Sequence, residues 1–188
     1  MDQPTSNPRH PSRSSPPLVG LVAAFCRAER GATAVEFALI ATPLFAILIA
    51  ILQTVLVIFA QQALQTATTA AARLIQTGQA QTQGITAAQL QAKICTFGAS
   101  LFTCANIHVN VQKFSSFSSM TMPSPLSGGN FNAAAMNYST GGPGDIELVQ
   151  AFYQWPIVLG PLGFNLTNMN GNYRLLVGTA VFRNEPYA

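Results

Sequence analysis

Few side chains in this sequence can do chemistry, and the positions of those few limit what the protein can be. Glu36 stands at the mouth of a run, Phe37 to Ala72, that holds no charged residue. Gly31 lies five positions earlier, closing the charged stretch Arg27 to Arg30. A carboxylate beside lipid is costly unless it is paired, so Glu36 calls for a partner or a recognition role. The alternative is a helix cap, where a carboxylate gains about 0.3–1 kcal/mol from the helix N-terminus. Asp145 and Glu147 would share one strand face and could offer oxygens to a cation, but two carboxylates fall short of a calcium shell without several more ligands. His10 and His108 lie on either side of the apolar run, so no metal site and no cofactor is expected. No nucleophile has a base near it in the pattern, and the chain is not expected to be an enzyme.

The elements that position these groups begin with the apolar run itself. Phe37 to Ile58 alone would form a helix about 33 Å long at roughly 1.5 Å per residue, enough to cross a bilayer. The helix should start near Ala32, continue through the Ala, Gln and Leu of Gln61 to Gln76, and stop at Gly78. Pro43 removes the amide that would bond to the carbonyl of Leu39, so a kink or local irregularity is expected there. Arg9, Arg13, Arg27 and Arg30 precede the run, whereas the first positive residue after it is Arg73. The positive-inside rule therefore puts the N-terminus in the cytoplasm and the remainder on the exported side of the membrane. Residues 1–17 read as a disordered Pro, Ser and Arg leader, and Leu18 to Phe25 as a membrane-proximal patch. Cys26 falls on the reducing side. Cys95 and Cys104 fall on the oxidising side, close enough to close a small loop as a disulfide, the alternative being two buried thiols.

Beyond the helix, Thr86 to Gln89 has a capping-box pattern that opens a short helix ending near Gly98. Asn106 to Gln112 alternates, with Ile107, Val109 and Val111 on one face and His108 and Asn110 on the other, which predicts a half-buried strand with a solvent-facing histidine. Leu148 to Trp155 and Tyr173 to Arg183 are further strands, and Ser115 to Gly144 reads as a long exposed loop. The expected class is α+β. It comprises a leader over 1–31, a transmembrane helix with an exported extension over 32–77, and an exported domain over 78–188 with a three- to four-stranded antiparallel sheet. Charged residues make up 8% of the 188 and hydrophobic ones 49%, which fits a bitopic membrane protein, and a net charge of +3 is too small to argue for nucleic acid.

Glycine, four residues, glutamate and an aromatic, here Gly31, Glu36 and Phe37, resembles the pattern a type IV prepilin offers its peptidase. The block Gly31 to Pro43 (GATAVEFALIATP) is similar to the opening of TadE-like pseudopilins of the tight-adherence, or Flp-type, pilus machinery. Val149 to Pro156 (VQAFYQWP) and Arg174 to Tyr187 (RLLVGTAVFRNEPY) resemble that family too. The resemblance implies cleavage between Gly31 and Ala32 by a membrane-embedded aspartic prepilin peptidase. It also implies that the Glu36 carboxylate pairs with the new Ala32 amine of a neighbouring subunit. The implied partners are that peptidase, other pilins or pseudopilins, and the assembly machinery. The main Flp-type filament subunits are much shorter chains, so a minor, assembly-priming component is implied. The rival expectation is an uncleaved bitopic scaffold of a periplasmic secretion or envelope complex.

Overall fold

Alanine, leucine and isoleucine dominate the apolar run, and a single proline is the one break in helix propensity there. The computed structural model describes residues 29–98, 101–158 and 164–187, and in it this run is one helix, α1, Glu29–Gln76. The leader, the patch Leu18 to Phe25, and Cys26 lie outside the described residues. α1 starts three residues before the expected Ala32. Glu and Arg are good helix formers, and one internal glycine costs only about 1 kcal/mol, too little to stop the helix at Gly31. Helix is assigned continuously through Pro43. The hydroxyl of Thr42 beside it donates back to the carbonyl of Ala38 at 2.8 Å, so that polar atom needs no outside partner.

The chain divides after Phe45 into two units. In the first, the side chains of α1 are exposed on all sides, with Phe37 at 71% and Leu39 at 70%. Within the second, Ala60, Leu64, Ala67, Ala71 and Ile75 form a fully or almost fully buried stripe on α1. The spacing of three and four residues puts them on one face. Arg73 lies in the last turn. Gly78 then turns the chain at φ 76°, a left-handed conformation that ends a helix with little strain only for glycine. A one-turn helix, α2 (Gln79–Thr82), leads to α3 (Ala87–Gly98). The capping box forms as expected: Gln89 Oε1 accepts the Thr86 amide at 2.9 Å and the Gln89 amide donates to Thr86 Oγ1 at 3.3 Å.

Among the described residues five strands follow: β1 (Ile107–Phe114), β2 (Leu126–Ser127), β3 (Asn130–Phe131), β4 (Ile146–Pro156) and β5 (Tyr173–Arg183). β1, β4 and β5 make a three-stranded antiparallel sheet with β4 central, and β2 and β3 pair separately. The register lines up Ile107, Tyr153 and Leu176, then Val109, Ala151 and Gly178, then Val111, Val149 and Ala180. This face packs on the α1 stripe and on Leu90 and Ile94 of α3. Small residues set the closest approach. A Cβ on Gly178 would collide with Thr68 Oγ1 and come within 2.9 Å of the Leu64 carbonyl oxygen.

α1 also bonds to the edge of the sheet. Gln61 donates to the Val177 carbonyl at 2.8 Å and accepts its amide at 3.3 Å. Gln65, one turn on, does the same for Thr179 at 2.8 and 3.0 Å. Two side-chain amides thus replace the neighbouring strand that β5 lacks.

The opposite face of the sheet corrects two expectations. His108 is half-buried, its ring 4.8 Å from that of Phe131, and Asn110 is fully buried. Ser115 to Gly144 is therefore more than an exposed loop. Its hairpin β2–β3 and Met136, with Met169 from the segment before β5, cover Phe152, Leu175 and Val177. Beneath this cover, Asn110 donates to Gln150 across the strands at 3.0 Å and accepts the Asn137 amide at 2.9 Å, which satisfies the buried amides. Burial pushes the His108 imidazole below its usual 6.5. Alternation marked the two faces of β1 correctly, but it could not reveal an aperiodic cover.

Candidate functional site

The motif residues all lie in the first turns of α1. Gly31 is half-buried and Ala32, Glu36 and Phe37 are exposed. The 31–32 peptide bond falls in the opening turn, where the helix is easiest to unwind. Glu36 is more than one turn further in, so it does not cap the helix as it stands. Its spacing of four from Ala32 puts both residues on one face. Apolar side chains flank this carboxylate, with Val35 50% and Leu39 70% exposed. Exposure of large apolar groups then continues along α1 to Phe59. Such a helix, from Gly31 to Gln76, is long and apolar enough to cross a membrane. Pro43, the expected irregularity, lies two turns after Glu36 with its neighbourhood exposed.

Cys95 of α3 and Cys104 are joined as a disulfide, with Cα atoms 5.4 Å apart. Gln91 Nε2 bonds the Cys104 carbonyl at 2.6 Å, and Phe102 inside the loop stacks edge-on against Tyr153 at 4.9 Å. The bridge therefore fastens the turn after α3 to the core aromatic cluster, which includes Trp155.

Asp145 and Glu147 do come together, on either side of Gly141. Glu147 is fully buried, and Oε1 accepts the Gly141 amide and Asn184 Nδ2. Asp145 Oδ2 accepts the Gly142 amide at 2.9 Å. Burial is the largest influence on the Glu147 carboxyl and holds it above its usual 4.5, with Asp145 adding to the rise and the two hydrogen bonds opposing it. Among the described residues no three acidic, histidine or cysteine side chains gather as a metal-binding group.

Sequence reasoning missed two features: the edge-bonding pair Gln61 and Gln65, and the bonds from Gln81 and Asn184 to the Gly141–Gly142 turn beside Glu147. The glutamines offered one signal, polar residues at helical spacing beside an apolar stripe. Gln81 and Asn184 offered none.

Neither the curated proteins nor the solved structures yielded a match to this chain. A family model did: that of the TadE-like proteins matches residues 31–73, which cover the motif, the apolar run and most of α1, and do not reach the blocks at 149–156 and 174–187. The N-terminal helix of the chain is thus similar to that of TadE-like proteins, and the likeness suggests involvement in Tad pilus assembly.

Proposed function

We propose that the protein is a membrane-anchored TadE-like pseudopilin, cut between Gly31 and Ala32 by a prepilin peptidase, that helps to assemble or prime a tight-adherence pilus. The observation that carries this reading is the coincidence of the family match over 31–73 with a helix apolar on every side from Phe37 to Phe59. The chain acts as a substrate and a structural subunit, not as a catalyst. Its N-terminus faces the cytoplasm and its α+β domain the periplasm, as the arginine distribution and the disulfide favour. Cleavage leaves a positive amine on Ala32 at the head of an apolar helix. A lone amine and a lone Glu36 carboxylate are each expensive in lipid, and a hydrogen-bonded pair between neighbouring subunits is much less so.

Intact-mass measurement on chain co-expressed with a prepilin peptidase tests the reading. Loss of Met1 to Gly31 is expected, and Gly31→Leu should abolish it. Glu36→Gln should still be cut and inserted yet fail to support piliation. A chain that stays whole beside an active peptidase would leave the uncleaved scaffold as the function.

A further inference from the structure

One end of the sheet touches α1 where α1 is still apolar. Gln53 lies within the uncharged run, and its Nε2 donates to the backbone carbonyl of Val158, two residues beyond the end of β4. The other polar side chains between Phe37 and Ile58 close on their own helix: Thr42 donates to the Ala38 carbonyl and Thr54 to the Ala50 carbonyl, each at 2.8 Å. A glutamine amide has two donor hydrogens and an acceptor oxygen, and the Val158 carbonyl supplies a partner where lipid supplies none.

The same contact is fastened to the core. Gln53 precedes Val57 by four residues and Ala60 by seven, so it continues the buried stripe of α1 by one turn. Ile157, next to Val158, is 5% exposed and packs in the same cluster as Val57. Val158 itself is 78% exposed. A bare apolar side chain is thus held at the level of Gln53 by a hydrogen bond and a buried neighbour.

Depth follows from the helix. Gln53 lies five residues before Ile58, or about 7.5 Å inside the end of the apolar stretch at roughly 1.5 Å per residue. Leu52, Val55 and Leu56, at this level of α1, are each more than half exposed. A bilayer that covers them also reaches Val158. The residues beside Val158 suit the boundary of such a layer. Pro156 and Tyr173 pair at the end of the β4–β5 ladder and are exposed, and Trp155 follows one step further in, opposite Arg174. Trp and Tyr favour the membrane–water interface. Residues 148–173 hold no charged side chain, so no charge has to leave water there.

We propose that the end of β4, with Val158 at its tip and Tyr173 beside it, is a second membrane contact that enters the leaflet on the side of the α+β domain. Two points of attachment then fix the tilt of the domain on the lipid surface, where α1 alone would leave it free to lean. This contact rests on α1 lying in a bilayer and not on whether Gly31 is cut.

The test uses the full chain in phosphatidylcholine vesicles, with and without bromine on the acyl chains, which quenches tryptophan by contact. Trp155→Phe removes the only native tryptophan, and Leu52→Trp, Val158→Trp or Phe117→Trp is added singly to that background. Phe117 follows β1 at the opposite end of the sheet, where Phe114 pairs with Ile146. The tryptophans at 52 and 158 should both emit to the blue and lose intensity to brominated chains, and the one at 117 should keep its intensity. Quenching at 52 without quenching at 158 would overturn the contact and keep α1 in the membrane. No quenching at 52 would overturn the membrane reading and this contact with it. Blue emission at 158 that bromine leaves untouched would mean that a second copy of the chain, and not lipid, covers the tip. Should the Trp155→Phe background not fold, wild-type chain and a photoactivatable lipid decide. Label should fall on α1 and on the peptide that carries Val158, and label on α1 alone would overturn the contact.

Discussion

The two halves of α1 have the same secondary structure, but they differ in hydropathy and use apolar side chains differently. From Phe37 to Phe59 nearly all the large apolar residues are exposed, and only Ala46 and Val57, on one side of the helix, are buried. From Ala60 to Ile75 the apolar residues are mostly alanines on one stripe, buried against the sheet, with Gln61 and Gln65 beside them. The first half satisfies a solvent, which asks for hydrophobicity in every direction and no particular shape. The second satisfies a surface, which asks for specific volumes: Leu64 fills, and the alanines and Gly178 let two backbones come close. Hydropathy separates the two, and residue size and the placement of glutamine show what the second half is shaped to fit.

Truncation should therefore cost stability in one half only. Leu64→Ala should lower the unfolding free energy of the α+β domain by about 2–5 kcal/mol, because the site is fully buried. Leu52→Ala, at an exposed position of the same helix, should leave it within about 0.5 kcal/mol. Denaturant titration followed by Trp155, the only tryptophan, reads the domain directly. Equal losses from the two variants would mean that the halves are not distinct.

Opening the disulfide sharpens the contrast in another way. Cys95→Ser with Cys104→Ser should destabilise the domain by about 2–3 kcal/mol on the loop-entropy model and leave the helical signal of the apolar half unchanged. Gly178→Ala should cost about 1–3 kcal/mol, since the added methyl meets Thr68 and backbone that cannot move aside cheaply. The same change at an exposed helix glycine would stabilise. Gln65→Leu is smaller still, about 1–2 kcal/mol, from leaving the Thr179 amide and carbonyl without their partner.

The smallest effect is a pH dependence that the apolar half, with no titrating group beyond Glu36, cannot produce. The raised Glu147 carboxyl gives stability that is complete below about pH 4.5 and is lost as pH rises through its folded value. His108 acts in the opposite sense: its lowered value gives stability that is complete above about 6.5 and is lost as pH falls through the folded value. Thermal midpoints across pH 4–8 for wild type and for Glu147→Gln should differ in slope on the alkaline side and agree in the response to His108.

What could be read from the sequence follows the same division. The long helix, the capping box at Thr86 and Gln89, and β5 from Tyr173 to Arg183 were all legible, because each rests on periodicity or on a local hydrogen bond. The motif residues Gly31, Glu36 and Phe37 were legible as chemistry, since a carboxylate beside an apolar run needs a reason. His108 was placed on the correct face and given the wrong environment, because its cover comes from residues about 20 positions away with no repeat of their own. The hydrogen bonds around Gly141 and Glu147 were out of reach for a related cause: Gln81, Gly141 and Asn184 are far apart in sequence, and each looks like an ordinary loop residue until the fold brings them together.

The glutamines of α1 have a consequence for how copies of this chain can and cannot associate. An open strand edge is a template for donor-strand exchange and for cross-β growth. On β5 the outward groups of Val177 and Thr179 are already taken by Gln61 and Gln65. On β1, at the other edge, Val111 pairs with the segment at Tyr138 through the Asn137 carbonyl and the Ser139 amide. A second chain seeking to extend the sheet would have to displace these bonds before making its own. Self-association by strand addition is blocked at the middle of both edges, which leaves the bare apolar half of α1 as the cheaper surface through which this protein can join a polymer.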